Sequence, residues 1–264
     1  VSLGRLFAAG LLPGVLAMTL YMAAVKLVTW WDPASGPAAE RVNLRVRLSQ
    51  LRKVWGVATL FTVVLGGIFL GVFTPTEGAA VGAGGALLIG FVTRRLTGPI
   101  FVQIMAETVL VSAMLLFIVI GISIFDFFVQ ATQAPAAIGA FFAAHNWPPA
   151  VTMTAIIAFL IMLGMFLEAI AIIFIMTPVI LPIIVSLGYD PVWFGIIMIM
   201  VIEFGLITPP IGMNVFVISK LVPEATTMSI FRAVVPFLGA DVVRLVLVMA
   251  FPAICLFLPE LFYG

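Results

Sequence analysis

The chain has 264 residues, of which 64% are apolar and only 9% charged, with a net charge of +1. Its mean hydropathy is +1.33. A soluble domain is about 45–50% apolar and about 25% charged, so this composition excludes a water-soluble fold and requires lipid as solvent. One cysteine and one histidine exclude a disulfide framework and a cysteine-based metal cluster. Nothing in the balance of charge points to nucleic acid as a partner. The chain opens on Val1 rather than Met, which fits a fragment or a processed chain.

A spanning helix needs about 20 mainly apolar residues. Residues 1–31 supply the first, interrupted by Pro13 and Lys26 and closed by the interfacial pair Trp30 and Trp31. It starts near Leu6 and runs too long for the apolar stretch of a signal peptide. Residues 32–53 change character, with Arg41, Arg45, Arg47, Arg52 and Lys53 set against Asp32 and Glu40. The positive-inside rule makes this loop cytoplasmic and the N-terminus external.

Residues 54–95 predict two helices joined by the turn Thr74-Pro75-Thr76-Glu77-Gly78 and closed by Arg94 and Arg95. Gly67, Gly71, Gly78, Gly82 and Gly85 fall at helical spacing, a pattern that lets helices pack closely in lipid. Glu77, in the turn, is expected to meet water or headgroups. Residues 96–130 read as a short amphipathic lead-in over 97–107 followed by a span over 109–128. His145 stands in the next loop beside Trp147-Pro148-Pro149, and without a second histidine or a nearby cysteine it reads as an exposed interfacial residue.

Residues 150–187 are too long for one span and too short for two with a solvated loop. About thirteen apolar residues precede Gly164-Met165-Phe166-Leu167-Glu168, a length that suits a re-entrant hairpin turning at that point. Pro178 and Pro182 are expected to bend its return limb. Residues 191–222 should cross the membrane, yet Thr208-Pro209-Pro210-Ile211-Gly212 stands inside them. Two prolines remove two backbone donors and push the residue before each away from helical geometry, so the helix should stop near Leu206 and restart near Gly212. Residues 229–260 form a last span carrying Asp241 and Arg244, three apart on one face and able to neutralise each other as a structural or interfacial pair.

A helix broken inside hydrocarbon leaves backbone groups that only protein or a watery cavity can cover. The carbonyls freed before the break carry partial negative charge and the amides freed after it partial positive charge. Discontinuous helices of this kind hold small cations and anionic substrates in secondary transporters. Gly205, Thr208, Pro209 and Asn214, with Gly164 and Glu168 at the hairpin tip, are therefore candidate sodium ligands. Thr208, Pro210, Gly212, Asn214 and Glu203 are candidate substrate contacts. Glu168 reads either as an ion ligand or as an acid solvated at a cavity mouth, and Glu203 either as a site residue or as part of a structural polar network. The chain lacks a phosphate-binding loop, a His-Glu-x-x-His pair and a Gly-x-Ser-x-Gly elbow, so no enzyme chemistry and no organic cofactor is expected.

Five segments in order resemble the large membrane subunit of tripartite ATP-independent periplasmic (TRAP) transporters. They are 71–81 (Gly-Val-Phe-Thr-Pro-Thr-Glu-Gly-Ala-Ala-Val), 164–168 (Gly-Met-Phe-Leu-Glu), 177–182 (Thr-Pro-Val-Ile-Leu-Pro), 188–195 (Gly-Tyr-Asp-Pro-Val-Trp-Phe-Gly) and 205–216 (Gly-Leu-Ile-Thr-Pro-Pro-Ile-Gly-Met-Asn-Val-Phe). The resemblance implies an all-α, elevator-type secondary transporter with inverted repeats, here mainly the second repeat, its re-entrant hairpin and its broken helix. It implies a sodium-coupled importer of organic acids (C4-dicarboxylates, sialic acid or related carboxylates) in the inner membrane of a bacterium or archaeon. The implied partners are a small membrane subunit and a periplasmic substrate-binding protein. The family subunit is longer, which places the first repeat's hairpin and broken helix before this chain's first residue. Val201 stands where related sequences often carry Asn. The competing expectation is a channel-like or scaffold subunit with no transport site of its own.

Overall fold

The structure, a computed structural model, describes residues 2–36, 43, 46, 54–133, 137–138, 140–141, 147–210, 212–222 and 224–263. The basic residues at positions 41, 45, 47, 52 and 53, together with Glu40 and His145, lie outside the described residues. Those described are mostly helical, with no strand among them. The helices are α1 (Leu3–Trp31), α2 (Trp55–Phe69), α3 (Pro75–Val92), α4 (Gly98–Ala131), α5 (Pro149–Gly164), α6 (Ala169–Ser186), α7 (Pro191–Ile207), α8 (Met213–Leu221), α9 (Thr227–Ala250) and α10 (Ala253–Tyr263). Among the described residues, five helices are long and apolar enough to cross a membrane: α1, α3, most of α4, α6 and α9. The protein is an all-α membrane protein.

The chain divides into two compact units, one holding Arg5–Ser35 with Leu116–Gly264 and the other holding Gly36–Leu115. In the second unit α2 and α3 form an antiparallel hairpin. Thr74 caps α3: its hydroxyl accepts from the Glu77 amide, while the Glu77 carboxylate accepts from the Thr74 amide at 2.7 Å. This reciprocal capping box, with Pro75 in the first turn, starts the helix where the punctuation falls. Glu77 thus holds a structural role at an exposed turn. Gly78, Gly82 and Gly85 all face α2, and a Cβ on Gly85 would collide with the Leu60 side chain. The small residues allow the two backbones to approach.

Helix α4 is continuous from Gly98 to Ala131. The lead-in and the span expected over 96–130 are one helix, because no proline follows Pro99 to end it. At 1.5 Å per residue it is about 51 Å long, more than the roughly 30 Å of a hydrocarbon core.

In the first unit α7 is the central helix, packed by α5, α6, α8, α9 and α10. Asp190 caps it by accepting from the Val192 and Trp193 amides at 2.7 and 3.0 Å, with Pro191 at its first position. Val192, Phe194, Ile197, Met200, Val201 and Ile202 are buried on successive faces. A helix apolar all round must be enclosed rather than set against a single neighbour. The Trp193 indole donates to the Val248 carbonyl at 3.0 Å, tying α7 to α9. Helix α9 ends at Ala250 and α10 begins at Ala253, so the last apolar stretch is two helices where one span over 229–260 was expected. Pro252 supplies the reason, since it has no N–H to continue α9 and favours an extended residue before it. Phe251 departs from helical geometry, with φ −126° and ψ 76°.

Candidate functional site: a hairpin tip against an interrupted helix

Helices α5 and α6 are joined by a short turn. The amides of Phe166 and Leu167 both donate to the Leu163 carbonyl, and Glu168 opens α6. One carboxylate oxygen of Glu168, Oε2, accepts from the Ile170 amide at 2.9 Å and the Ala171 amide at 3.2 Å. Half-buried Glu168 therefore serves as an N-cap, satisfying donors that a helix end otherwise leaves open. Helix α6 runs through Pro178 and Pro182 without interruption, its neighbouring Thr177 hydroxyl donating to the Ile173 carbonyl. At 16 residues α5 is about 24 Å long, short of a full hydrocarbon crossing.

The α5–α6 turn meets the end of α7. A Cβ on Gly205 would lie 2.6 Å from the Gly164 Cα and 3.1 Å from the Ile161 carbonyl oxygen. A Cβ on Gly164 would lie 3.1 Å from the Gly205 Cα. Both glycines are buried, and the two backbones touch because neither carries a side chain.

Three residues further on the helix stops. Thr208 is extended (φ −92°, ψ 138°), its amide donating to the Gly205 carbonyl at 3.1 Å and its hydroxyl to the Phe204 carbonyl at 2.6 Å. Having given its proton to Phe204, the hydroxyl oxygen keeps two lone pairs for a cation or a donor. Gly212 then takes the left-handed conformation (φ 56°, ψ 71°) as the first cap of α8, with no side chain capping the helix amides. A side chain there would press on the Phe231 ring at 2.9 Å and on the Thr208 carbonyl oxygen at 3.3 Å. Glycine answers both the conformation and the close approach. Gly164, Gly205, Thr208 and Gly212 are thus one contiguous group. Pro209, Pro210 and Asn214 stand exposed.

Glu203 belongs to a second group. It lies 3.6 Å from Arg244, which lies 3.0 Å from Asp241, and the Tyr21 hydroxyl is 2.8 Å from both Asp241 oxygens. Asp241 and Arg244 are buried, whereas the Glu203 side chain is 61% exposed. The network joins α1, α7 and α9. The i,i+3 pair and a structural polar network for Glu203 are readable from the sequence; that the two are one network, and that Tyr21 joins it, is not. The available signal was charge: an acid inside each of two apolar helices, with Arg244 one turn from Asp241, calls for a shared partner. Val201 is fully buried in the apolar core.

Among the described residues no three His, Cys, Asp or Glu side chains converge on a metal-sized site. A cation at the interruption would be held by backbone carbonyls, by hydroxyl or amide oxygens, and by at most the free oxygen of Glu168. Such hard, mostly neutral oxygen donors suit an alkali or alkaline-earth cation better than a transition metal.

The family model for the DctM component of the tripartite ATP-independent periplasmic transporter matches residues 1–254. The C4-dicarboxylate TRAP transporter large permease protein DctM of Pseudomonas aeruginosa is 36% identical over 263 residues, covering 98% of this chain and 60% of that protein. The sialic acid TRAP transporter large permease protein SiaM of Vibrio cholerae is 34% identical over 264 residues, covering all of this chain and 61% of that protein. The DctM of Rhodobacter capsulatus is 37% identical over 269 residues, covering 98% of this chain and 59% of that protein. The chain therefore spans about three fifths of the length of these relatives. The family-model match over residues 1–254 and the 34–37% identity to these permeases make this chain a member of the DctM family of TRAP transporter large permeases.

Proposed function

We propose that the chain is the membrane-embedded part of a sodium-coupled importer of organic acids. The observation that carries the reading is the Gly164–Gly205 contact, which sets a hairpin tip against a helix interrupted between Ile207 and Met213. Interrupted helices offer carbonyl ends to a cation and amide ends to a carboxylate, the pairing that sodium–organic acid symport requires. The Pseudomonas aeruginosa DctM and Vibrio cholerae SiaM relatives are named for C4-dicarboxylates and sialic acid, cargoes that share carboxylates.

Sodium would sit at the tip-and-break group formed by Gly164, Glu168, Gly205, Thr208 and Pro209, with Asn214 supplying a further oxygen. The carboxylate would meet the amides at the start of α8 near Pro210 and Gly212, with Thr208 and Asn214 beside it, while Glu203, tied to Arg244, stays outside this group. The hairpin would be re-entrant and would move with α7 as the transport unit of an elevator. A small membrane subunit and a periplasmic binding protein would complete the assembly in the inner membrane.

The test is uptake of radiolabelled succinate and sialic acid into proteoliposomes holding the permease with its small subunit and binding protein. Uptake of one of them driven by an inward sodium gradient, and lost when potassium replaces sodium, is expected. Equal flux in both salts would support a channel-like subunit and overturn the coupling.

A further inference from the structure

The hairpin of α2 and α3 has no part in the site above, and its open end carries a groove of about 950 Å³. We propose that this groove binds an anionic phospholipid, with the headgroup phosphate on Arg95 at its mouth and on the neighbouring Arg94, and an acyl chain lying along the crease that α2 and α3 form.

Because the hairpin is antiparallel, the start of α2 and the end of α3 lie at the same end. The walls are apolar, formed by Leu60, Ala86 and Ile89, while Trp55, Thr93 and Arg95 stand at the mouth. The volume lies within the roughly 300–1,000 Å³ of ordinary ligand pockets. An apolar depth below a cationic mouth with an indole beside it complements an amphiphile whose head is an anion.

The backbone adds a separate observation. Arg94 has φ 54°, and its amide donates to the Phe91 carbonyl while the Arg95 amide donates to the Gly90 carbonyl. This is the 6→1 and 5→2 pattern with which helices end on a left-handed residue, a place usually taken by glycine. Here an arginine holds it despite the Cβ clash, and a second arginine follows. Nothing within the hairpin neutralises the pair: Glu77 is the single acid between residues 54 and 95, and it sits at the opposite end in its capping box.

The decisive measurement is native mass spectrometry of the detergent-purified chain titrated with phosphatidylglycerol and with phosphatidylcholine of matched chains. Wild type should retain phosphatidylglycerol preferentially, by about five-fold for each arginine that meets the phosphate. Arg94→Gln with Arg95→Gln should bring the ratio of the two lipids close to one. Millimolar glycerol phosphate should displace neither lipid. Ile89→Trp, which narrows the groove, should lower retention of both; should that variant misfold, the arginine pair still decides. Equal retention of both lipids by wild type, an undiminished preference in the double variant, or displacement by glycerol phosphate would each overturn the proposal.

Discussion

Gly164 and Gly205 lie so close that a single methyl group on Gly205 would fall 2.6 Å from the Gly164 Cα, well inside van der Waals contact. The atom it would strike is backbone, which cannot swing aside as a side-chain tip can. Gly205→Ala should therefore cost about 1–3 kcal/mol through overpacking. Gly164→Ala, whose Cβ would meet the Gly205 Cα at 3.1 Å, should cost less. Thermal unfolding of the purified chain in detergent ranks the two. Wild-type stability in Gly205→Ala would show that tip and helix are not in contact.

The Tyr21–Asp241–Arg244–Glu203 network makes a graded prediction. Arg244→Met strands a buried carboxylate and should cost about 3–5 kcal/mol, while Asp241→Leu made together with it should recover most of that loss. Tyr21→Phe removes a hydrogen bond to a charged group, worth about 1.5–3 kcal/mol. Glu203→Gln should cost at most about 1 kcal/mol, because its contact is 3.6 Å long and its side chain is 61% exposed. Detergent unfolding of the four variants gives the order. A loss in Glu203→Gln as large as in Arg244→Met would mean that Glu203 is enclosed and the ion pair tight.

Much of this arrangement is legible from local chemistry, because prolines, glycines and charges act on their nearest neighbours. Pro209 and Pro210 mark the interruption, and α7 and α8 flank it at Ile207 and Met213. Asp190 before Pro191 and Thr74 before Pro75 are readable caps. What stays hidden in the sequence depends on the third dimension. Gly164 and Gly205 are forty-one positions apart, and no local pattern says that they touch. Glu168, an acid in an apolar run, draws attention to its charge, yet its capping bonds lie within three residues and are local. Pro252 is easily hidden because apolar residues continue on both sides of it, and apolar continuity is not helical continuity.

Glu168, Thr208 and Asn214 separate a structural role from an ionic one. Glu168→Gln keeps an oxygen for the Ile170 and Ala171 amides, so stability should hold, whereas Glu168→Ala should lose about 0.5–2 kcal/mol with the cap. Thr208→Val deletes the oxygen that α7 leaves free for a cation, and Thr208→Ser retains it. In sodium titrations of uptake by the reconstituted permease, Thr208→Val and Asn214→Ala should raise the half-activating sodium concentration about ten-fold, equivalent to about 1.4 kcal/mol. Thr208→Ser should titrate like wild type. Glu168→Gln should also shift the titration if its second carboxylate oxygen faces the ion. A normal sodium titration in a stable Glu168→Gln would leave that residue as a helix cap alone, and normal titrations in both Thr208→Val and Asn214→Ala would move sodium away from the interruption altogether.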